Sequence, residues 1–536
     1  MAPPASILHD VRMTARFLRG LGPFLRGTID PSDGHARLAR QLRDRGTSLL
    51  QVVRDAIYAE PSSPYFALLR HAGVEYGDVA RLVATEGVEG ALGRLHAAGV
   101  HVTLDEVKGR RPLRRGSLEI ATSPASFDNP LPSRSFAAQT GGSRGPGRRL
   151  LIDLDLIAHE ACYEQVSGAA LTLLDRPKAV WRPVPPGTAG LKTVLRFAKI
   201  GAPFARWFSQ SPVRSAVEWR HLLFTSAAGA TARWHGCRLP TPEHVPVGRA
   251  DVVAAWLAAC RAANTPGLVD TNAASAVRVC LAAEAAGLAI DGSLFRVGGE
   301  PYSPGKAAVL ARTGCRAFTH YSMSEVGRIA NACACPAALD EVHLALDKVA
   351  ILQRPLAAAS AAGAVQAIFL TTLIRSTPTV MLNVEVGDYA TTTSRECGCP
   401  WQALGFTQHL QDIGSYEKLT AEGMHFLGSD LVDLLEGVLP AAFGGGPTDY
   451  QLIEGESDGM VTVTLAVSPR VGAVDETRVV DRLLDGLARG DAAGRMMAAR
   501  WREARTIRVA RVEPRATRAG KVLALHVDRT TERHAS

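Results

Sequence analysis

Five short segments carry residue types and spacings from which nucleotide chemistry can be built. Thr140-Gly-Gly-Ser-Arg-Gly-Pro-Gly147 is rich in glycine. Such a backbone can turn its N–H groups toward phosphate oxygens, and Thr140, Ser143 and Arg144 add donors and charge around Gly142. A plain surface turn has the same composition. Val297-Gly-Gly-Glu-Pro301 closes an apolar run. Gly298 and Gly299 would let a flat ring approach the backbone with Glu300 alongside, or would make a structural turn. In His320-Tyr-Ser-Met-Ser-Glu-Val-Gly327, Tyr321 can stack on a base and Ser322 and Ser324 offer hydroxyls to phosphate. Glu325 offers hard oxygen ligands to Mg²⁺. Glu385-Val-Gly-Asp-Tyr389 puts Asp388 just past a predicted strand, where a carboxylate can accept two ribose hydroxyl bonds. Near the C-terminus, Lys521 follows a glycine in Val512–Val522, a setting in which lysine is usually only solvated.

A second constellation is soft. Cys333-Ala-Cys335, His343 and Cys397-Gly-Cys399 supply five thiolate or imidazole donors. Four of them would close a tetrahedral, structural zinc site, while reduced cysteines buried in a core are the alternative. The spacing does not choose between Cys333 and Cys335. Nine cysteines in all is an odd number, and no disulfide framework is expected. Cys162, Cys237, Cys260, Cys280 and Cys315 read as small core residues.

The elements that must hold these residues follow from apolar spacing. Three- and four-residue periodicity predicts helices through Leu38–Leu50, Val52–Tyr58 and Val79–Leu95, with Ser62 or Ser63 capping a further helix after the Pro61–Pro64 break. From Val102 the texture changes to short strands and Gly/Pro turns. Helical stretches Val252–Asn264 and Ala273–Ala286 then alternate with apolar runs at Leu268–Val269 and Leu294–Val297, which predicts an α/β architecture. Beyond Gln411–Tyr416, strands at Asp449–Glu454, Met460–Val467 and Ile507–Val512 and a helix at Glu476–Arg489 predict a smaller α+β unit.

Taken in order, the five segments resemble the acyl-adenylate-forming superfamily, in particular its phenylacetate–CoA ligase-like branch and the related acyl-protein synthetases, from about Ser62 to Val527. His320–Gly327 is similar to the family's Tyr-x-x-Thr/Ser-Glu motif and Pro514–Leu523 to its C-terminal Gly-Lys motif. The resemblance implies a helical N-terminal region over residues 1–100, a large ATP- and acid-binding domain over 101–411, and a small mobile α+β domain over 412–536 carrying the catalytic Lys521. It implies that Thr140, Gly142, Ser143 and Arg144 steady the phosphates, and that Gly298, Gly299, Glu300 and Tyr321 border adenine. Asp388 would bind ribose, Ser322 and Ser324 would belong to the nucleotide site, and Glu325, with Ser324 nearby, would hold Mg²⁺. A carboxylic acid would become its acyl-adenylate, and after rotation about a hinge near Asp412 the acyl group would pass to CoA. A carrier-protein thiol is the alternative acceptor, and a non-catalytic nucleotide-binding scaffold the alternative function. Some members of the branch resemble the cysteine–histidine arrangement, which supports zinc. Two departures stand out: the phosphate loop lacks one hydroxyl and the lysine of the family's motif, a loss that Arg144 could offset, and no arginine stands in Leu410–Lys418, where the family hinge has one. Asp412 could still serve as the hinge and Lys418 could substitute in part. The acid pocket would lie among residues from about Trp234 to Ser322.

Bulk properties agree. The composition, 46% hydrophobic and 21% charged, is that of a globular protein with a sizeable core, and its length suits two or three domains. No run is long and apolar enough for a membrane span, and the basic stretch Met1–Gly27 reads as an amphipathic helix packed on the body, so a cytoplasmic enzyme is expected. The net charge of +8 is spread along the chain without a nucleic-acid-binding motif, so an anionic small substrate is expected rather than nucleic acid.

Overall fold

The computed structural model describes residues 17–132, 135–139, 149–184, 189–210, 219–355, 366–415, 420–421, 424–425, 429–457, 460–489, 498, 501–502, 506–517 and 520–527. Strands Leu268–Thr271 and Leu294–Gly298 are buried at every position, as near-continuous apolar runs covered on both faces should be. They are interior strands of a sheet of twelve among the described residues. One half is parallel: Pro242–His244, Arg206–Ser209, Lys178–Trp181, Leu268–Thr271, Leu294–Gly298 and Arg316–Met323 neighbour one another in that order. The other half is antiparallel and begins where Gly327–Ala332 folds back on Arg316–Met323. Pairing therefore changes sense at the segment His320–Gly327.

Helices cover both faces of the parallel half. Alternate residues of a strand point to opposite sides. Thus Ala179 and Trp181 join Val253, Leu257, Val277 and Val309 in one apolar cluster. Val180 joins Leu154, Ile157, Leu191 and Leu195 in another, which also takes in Phe17, Leu21 and Phe24 of helix 17–26. That helix packs on the body, as its amphipathic pattern implies. Asp153 caps Leu154–Ala170 by accepting from the N–H groups of Asp155 (2.8 Å) and Leu156 (3.1 Å). The N-terminal helices pack through Leu38, Leu49, Leu68 and Leu92 against Ile351, Leu370 and Leu382 of the antiparallel half. No helix among the described residues is long and apolar enough to cross a membrane.

Several local expectations are corrected. The helix over Val79–Leu95 is broken at Gly87, whose φ of +73° no helix accommodates, so Tyr76–Ala97 is two helices meeting at a kink. Val53–Tyr58 is wound as a π-helix rather than an α-helix. Asp388 stands inside the strand Val384–Ser394, not past it: it pairs with Ser415, and pairing with Gln408–Ser415 continues to Ser394 across a bulge after Tyr389. Cys237 and Cys260 are only half-buried, whereas Cys162, Cys280 and Cys315 are core residues.

The C-terminal region forms its own four-stranded sheet. Tyr450–Ser457 and Met460–Val467 pair as a hairpin, with Ile507–Ala510 and Leu525–Val527 added in parallel at its edges. Helix Glu476–Arg489 buries Val479, Leu483, Leu484 and Leu487, one stripe of a 3.6-residue period, in the cluster this sheet shares with Tyr450, Leu465 and Ile507. The region is tied to the larger body by a buried ion pair. Lys306 Nζ, in helix Pro304–Arg312, lies 2.7 Å from Glu436 of the π-helix Leu434–Val438, and the Ser303 hydroxyl donates to the same carboxylate.

Candidate active site

The carboxyl ends of parallel strands are where open α/β sheets bind ligands. Here the chain places Asn272, Gly298–Glu300 and His320–Ser322 at those ends. Gly299 has φ +87°, a conformation L side chains resist, and a Cβ there would stand 2.9 Å from both Cε and Nζ of Lys521 and 3.9 Å from Asn272 Oδ1. A Cβ on Gly298 would meet the His320 ring at 2.8 Å. Both glycines therefore let other groups close in on the strand end.

Lys521 reaches this point from the C-terminal sheet on a tight turn. The Lys521 N–H donates to Thr517 Oγ1 (3.1 Å), the Thr517 N–H donates to the Lys521 carbonyl (2.8 Å), and Gly520 turns the chain at φ +75°. Gly520 packs so closely on Gln210 that a Cβ would lie 2.7 Å from its amide, and Gln210 in turn donates to Ser275 (3.0 Å). The turn expected from the sequence is thus present, and it delivers the lysine to the glycine pair.

Tyr321 and Asp388 also meet, the phenol donating to Asp388 Oδ2 at 2.7 Å. Glu325 occupies the tip of the hairpin between Arg316–Met323 and Gly327–Ala332 and is half-exposed, with Ser324 beside it. Ser322 pairs with Arg328 across that hairpin. The Glu300 carboxylate turns toward the first residues of helix Ala273–Ala286 and accepts from the Ala274 N–H (2.6 Å), where the helix dipole favours a negative charge. Burial still raises its pKa, against the pull of Lys306, that N–H and Lys521. Thr140, Gly142, Ser143, Arg144 and Lys418 lie outside the described residues; the segment holding the first four joins the antiparallel strands Ser135–Gln139 and Arg149–Asp153. Asp412 sits within the strand Gln408–Ser415 at φ +54°, rare for a residue other than glycine.

Beneath the strand ends runs a buried ionic network that the sequence reading did not single out. Arg182 and Arg296 share Asp270. Arg196, Arg296 and Arg328 share Glu164, while Arg196 and Lys348 share Glu160 (both 2.7 Å). Arg182 also donates to Asn272 Oδ1 (3.0 Å), which links the network to the wall of the crevice. Burial and the surrounding arginines, Arg328 foremost, hold the His320 imidazole neutral, its pKa well below the ordinary value. The available signal was a charge inside an apolar strand, Asp270 after Leu268-Val269 and Arg296 within Leu294–Val297.

Cys333, His343, Cys397 and Cys399 form one cluster, their donor atoms all within 4.8 Å of one another. His343 Nδ1 faces the Phe406 carbonyl at 2.8 Å, which fixes its proton there and turns Nε2 toward Cys399 (3.0 Å) and Cys397 (3.5 Å). Cys335 is the donor left out: it is exposed, and its N–H points to the Cys333 sulfur (3.4 Å). Three thiols and one oriented imidazole fit tetrahedral zinc.

No family profile and no curated protein sequence matches the chain. Solved structures do. The chain is similar to 2-hydroxyisobutyryl-CoA ligase in the postadenylation state in complex with 2-HIB-AMP, with a TM-score of 0.51 and 14% identity over 94% of this chain and 91% of that one. The same ligase in complex with R3-HIB-AMP gives 0.49 and 15% over 94% and 91%. The amide bond synthetase McbA from Marinactinospora thermotolerans gives 0.40 and 14% over 95% and 98%. The first of these likenesses spans nearly the whole of both chains, and what it shows is architecture: this protein has the mixed α/β fold of the acyl-adenylate-forming enzymes.

Proposed function

We propose that the protein is an AMP-forming acid–thiol ligase of the phenylacetate–CoA ligase-like branch, which activates a carboxylic acid with ATP and passes the acyl group to CoA. The observation that carries this reading is Lys521 lying against Gly299 at the carboxyl ends of the parallel strands, a cation brought from a separate sheet to a glycine-lined crevice. A substrate carboxylate oxygen attacks the α-phosphorus of ATP and the bond to the β-phosphate breaks. The products are acyl-AMP and pyrophosphate. The Lys521 ammonium neutralises charge as it develops on the transferred group, which is positioning and electrostatics rather than covalent work by the protein. Gly298, Gly299 and Glu300 are read as the strand end that borders adenine, Tyr321 and Asp388 as a polar edge for ribose, and Thr140, Gly142, Ser143 and Arg144 as the phosphate loop.

Glu325 on its hairpin tip would hold Mg²⁺, which would spread phosphate charge. In the second half-reaction a thiolate sulfur attacks the acyl carbonyl carbon and AMP leaves, with Asp412 as the hinge of the small domain. The four-donor cluster would hold a structural zinc that fastens the strand Gly327–Ala332 and thereby the hairpin carrying Glu325.

The test is pyrophosphate release from ATP and Mg²⁺ over a panel of aromatic, aliphatic and amino acids, with and without CoA. Acid-dependent release with a further rise on adding CoA is expected. Release without any CoA effect would move the acceptor to a carrier-protein thiol. Folded protein that binds ATP and releases nothing with any acid would favour a nucleotide-binding scaffold.

A further inference from the structure

Lys192 is a buried cation that the chemistry above does not use. It lies on helix Ala189–Lys199 with 6% of its surface exposed. Among the described residues it makes no hydrogen bond and no ion pair. Its neighbours are committed elsewhere. Glu160 serves Arg196 and Lys348, Glu164 serves Arg196, Arg296 and Arg328, and Asp270 serves Arg182 and Arg296. Five cations thus share three acids in direct contact, every acid already serves two or more, and Lys192 is a sixth cation left over. Of the acids farther off, Asp347 is taken by Tyr163 and His159, and Glu325 acts on Lys192 only through its field.

A buried ammonium without a partner costs several kcal/mol. Burial lowers the Lys192 pKa to about 8, with Arg196 and Lys348 pressing the same way and Glu160 and Glu325 opposing. The network reaches the strand ends through Arg182, which bonds Asn272, whose Oδ1 is 3.9 Å from the Cβ position of Gly299, and Lys192 feels the charge of Glu325 on the adjoining hairpin. An anion entering the crevice would complete the network.

We propose that Lys192 binds a second oxyanion on the substrate, so that the protein activates one carboxylate of a dicarboxylic acid while Lys192 holds the other. The proposal rests on the adenylation reading of the same crevice. Lys192 is then a specificity-determining residue and takes no part in bond making.

Two readouts on the full chain test it, using butyrate against succinate, valerate against glutarate, benzoate against isophthalate, and 3-phosphonopropionate to separate carboxylate from phosphonate. In pyrophosphate release the wild type should favour at least one diacid over its matched monoacid by roughly 100-fold in kcat/KM, the range for completing a buried charge pair. Lys192→Met should reduce that preference to about threefold, and it should fold, since exchanging an unpaired buried charge for an apolar side chain is neutral or stabilising. In melting experiments the preferred diacid should raise the transition of the wild type but not of Lys192→Met. A shift of this kind without pyrophosphate release from any acid would sink the adenylation reading and keep the anion site. Equal use of monoacids and diacids, a preference that survives Lys192→Met, or neither release nor shift across the panel would overturn the anion site. So would a Lys192→Met variant whose KM for ATP rises with its diacid preference intact, which would assign the lysine to phosphate instead.

Discussion

Gly299→Ala is the most direct perturbation of the lysine–glycine contact. Its effect has two parts. The backbone at φ +87° would carry a Cβ it resists, at about 1–3 kcal/mol. The new methyl would also stand 2.9 Å from Lys521 Cε and Nζ, whereas an unstrained contact needs about 3.5–4.0 Å. The lysine is the flexible partner, so its head should retreat by roughly 1 Å, and a misplacement of that size can cost about 10²-fold in rate. Lys521→Ala should cost about 10²–10³-fold in acid-dependent pyrophosphate release with ATP binding nearly intact. If both variants act through the same ammonium, their effects will not add. In the Lys521→Ala background, Gly299→Ala should lower the rate less than about threefold, the residue of backbone strain alone. The assay is pyrophosphate release by the four proteins of the cycle, with ATP binding measured separately. Wild-type turnover by Gly299→Ala, or full additivity of the two losses, would refute the idea that Gly299 positions Lys521.

Other outcomes follow from the same geometry. One zinc per chain is expected by metal analysis; His343→Ala or Cys399→Ser should lose it and melt earlier, as should chelated wild type, whereas Cys335→Ser should keep both metal and melting profile. Lys306→Met alone should destabilise by about 3–5 kcal/mol by leaving Glu436 buried and unpaired, and adding Glu436→Leu should recover most of that in denaturant unfolding. Burial favours the neutral form of Asp270, but Arg182 and Arg296 outweigh it and bring its pKa down to about 2. Its folded pKa is depressed, so its contribution to stability is present above the ordinary value of 3.8 and is lost as pH falls toward 2. Unfolding curves should therefore weaken below pH 4 in the wild type and do so less steeply in Asp270→Asn, which starts less stable at neutral pH.

What the sequence disclosed and what it hid divide along the range of the interactions. Lys521 behind Gly520 and Gly298-Gly299 at a strand end are local devices, and local devices leave their mark in adjacent residues. The alternation of apolar strands with helices 250–286 was legible for the same reason. Asp388 lies inside its strand because pairing with Gln408–Ser415 carries on past it, which depends on the neighbouring strand rather than on its own residues. The choice of Cys333 over Cys335 followed from how the turn after Gly327–Ala332 directs each side chain, a geometry that the Cys-x-Cys spacing leaves open. The ionic network was hidden most completely. Arg296 and Glu164 stand 132 positions apart in the chain, and no short window contains both members of such a pair.

The attachment of the C-terminal sheet has a mechanical consequence. It meets the larger body at Gly299 through Lys521, at Gln210 through Gly520 and at Lys306 through Glu436, and Gly299 and Lys306 lie on the short run from the strand end Gly298 into the following helix. Any excursion that carries Lys521 away from the crevice must either open the buried ion pair or turn about it, and turning about it leaves the folded charges undisturbed. The ion pair would then act as a pivot rather than a latch, and the stretch Gly298–Lys306 would be the fulcrum on which the lysine is lowered and withdrawn.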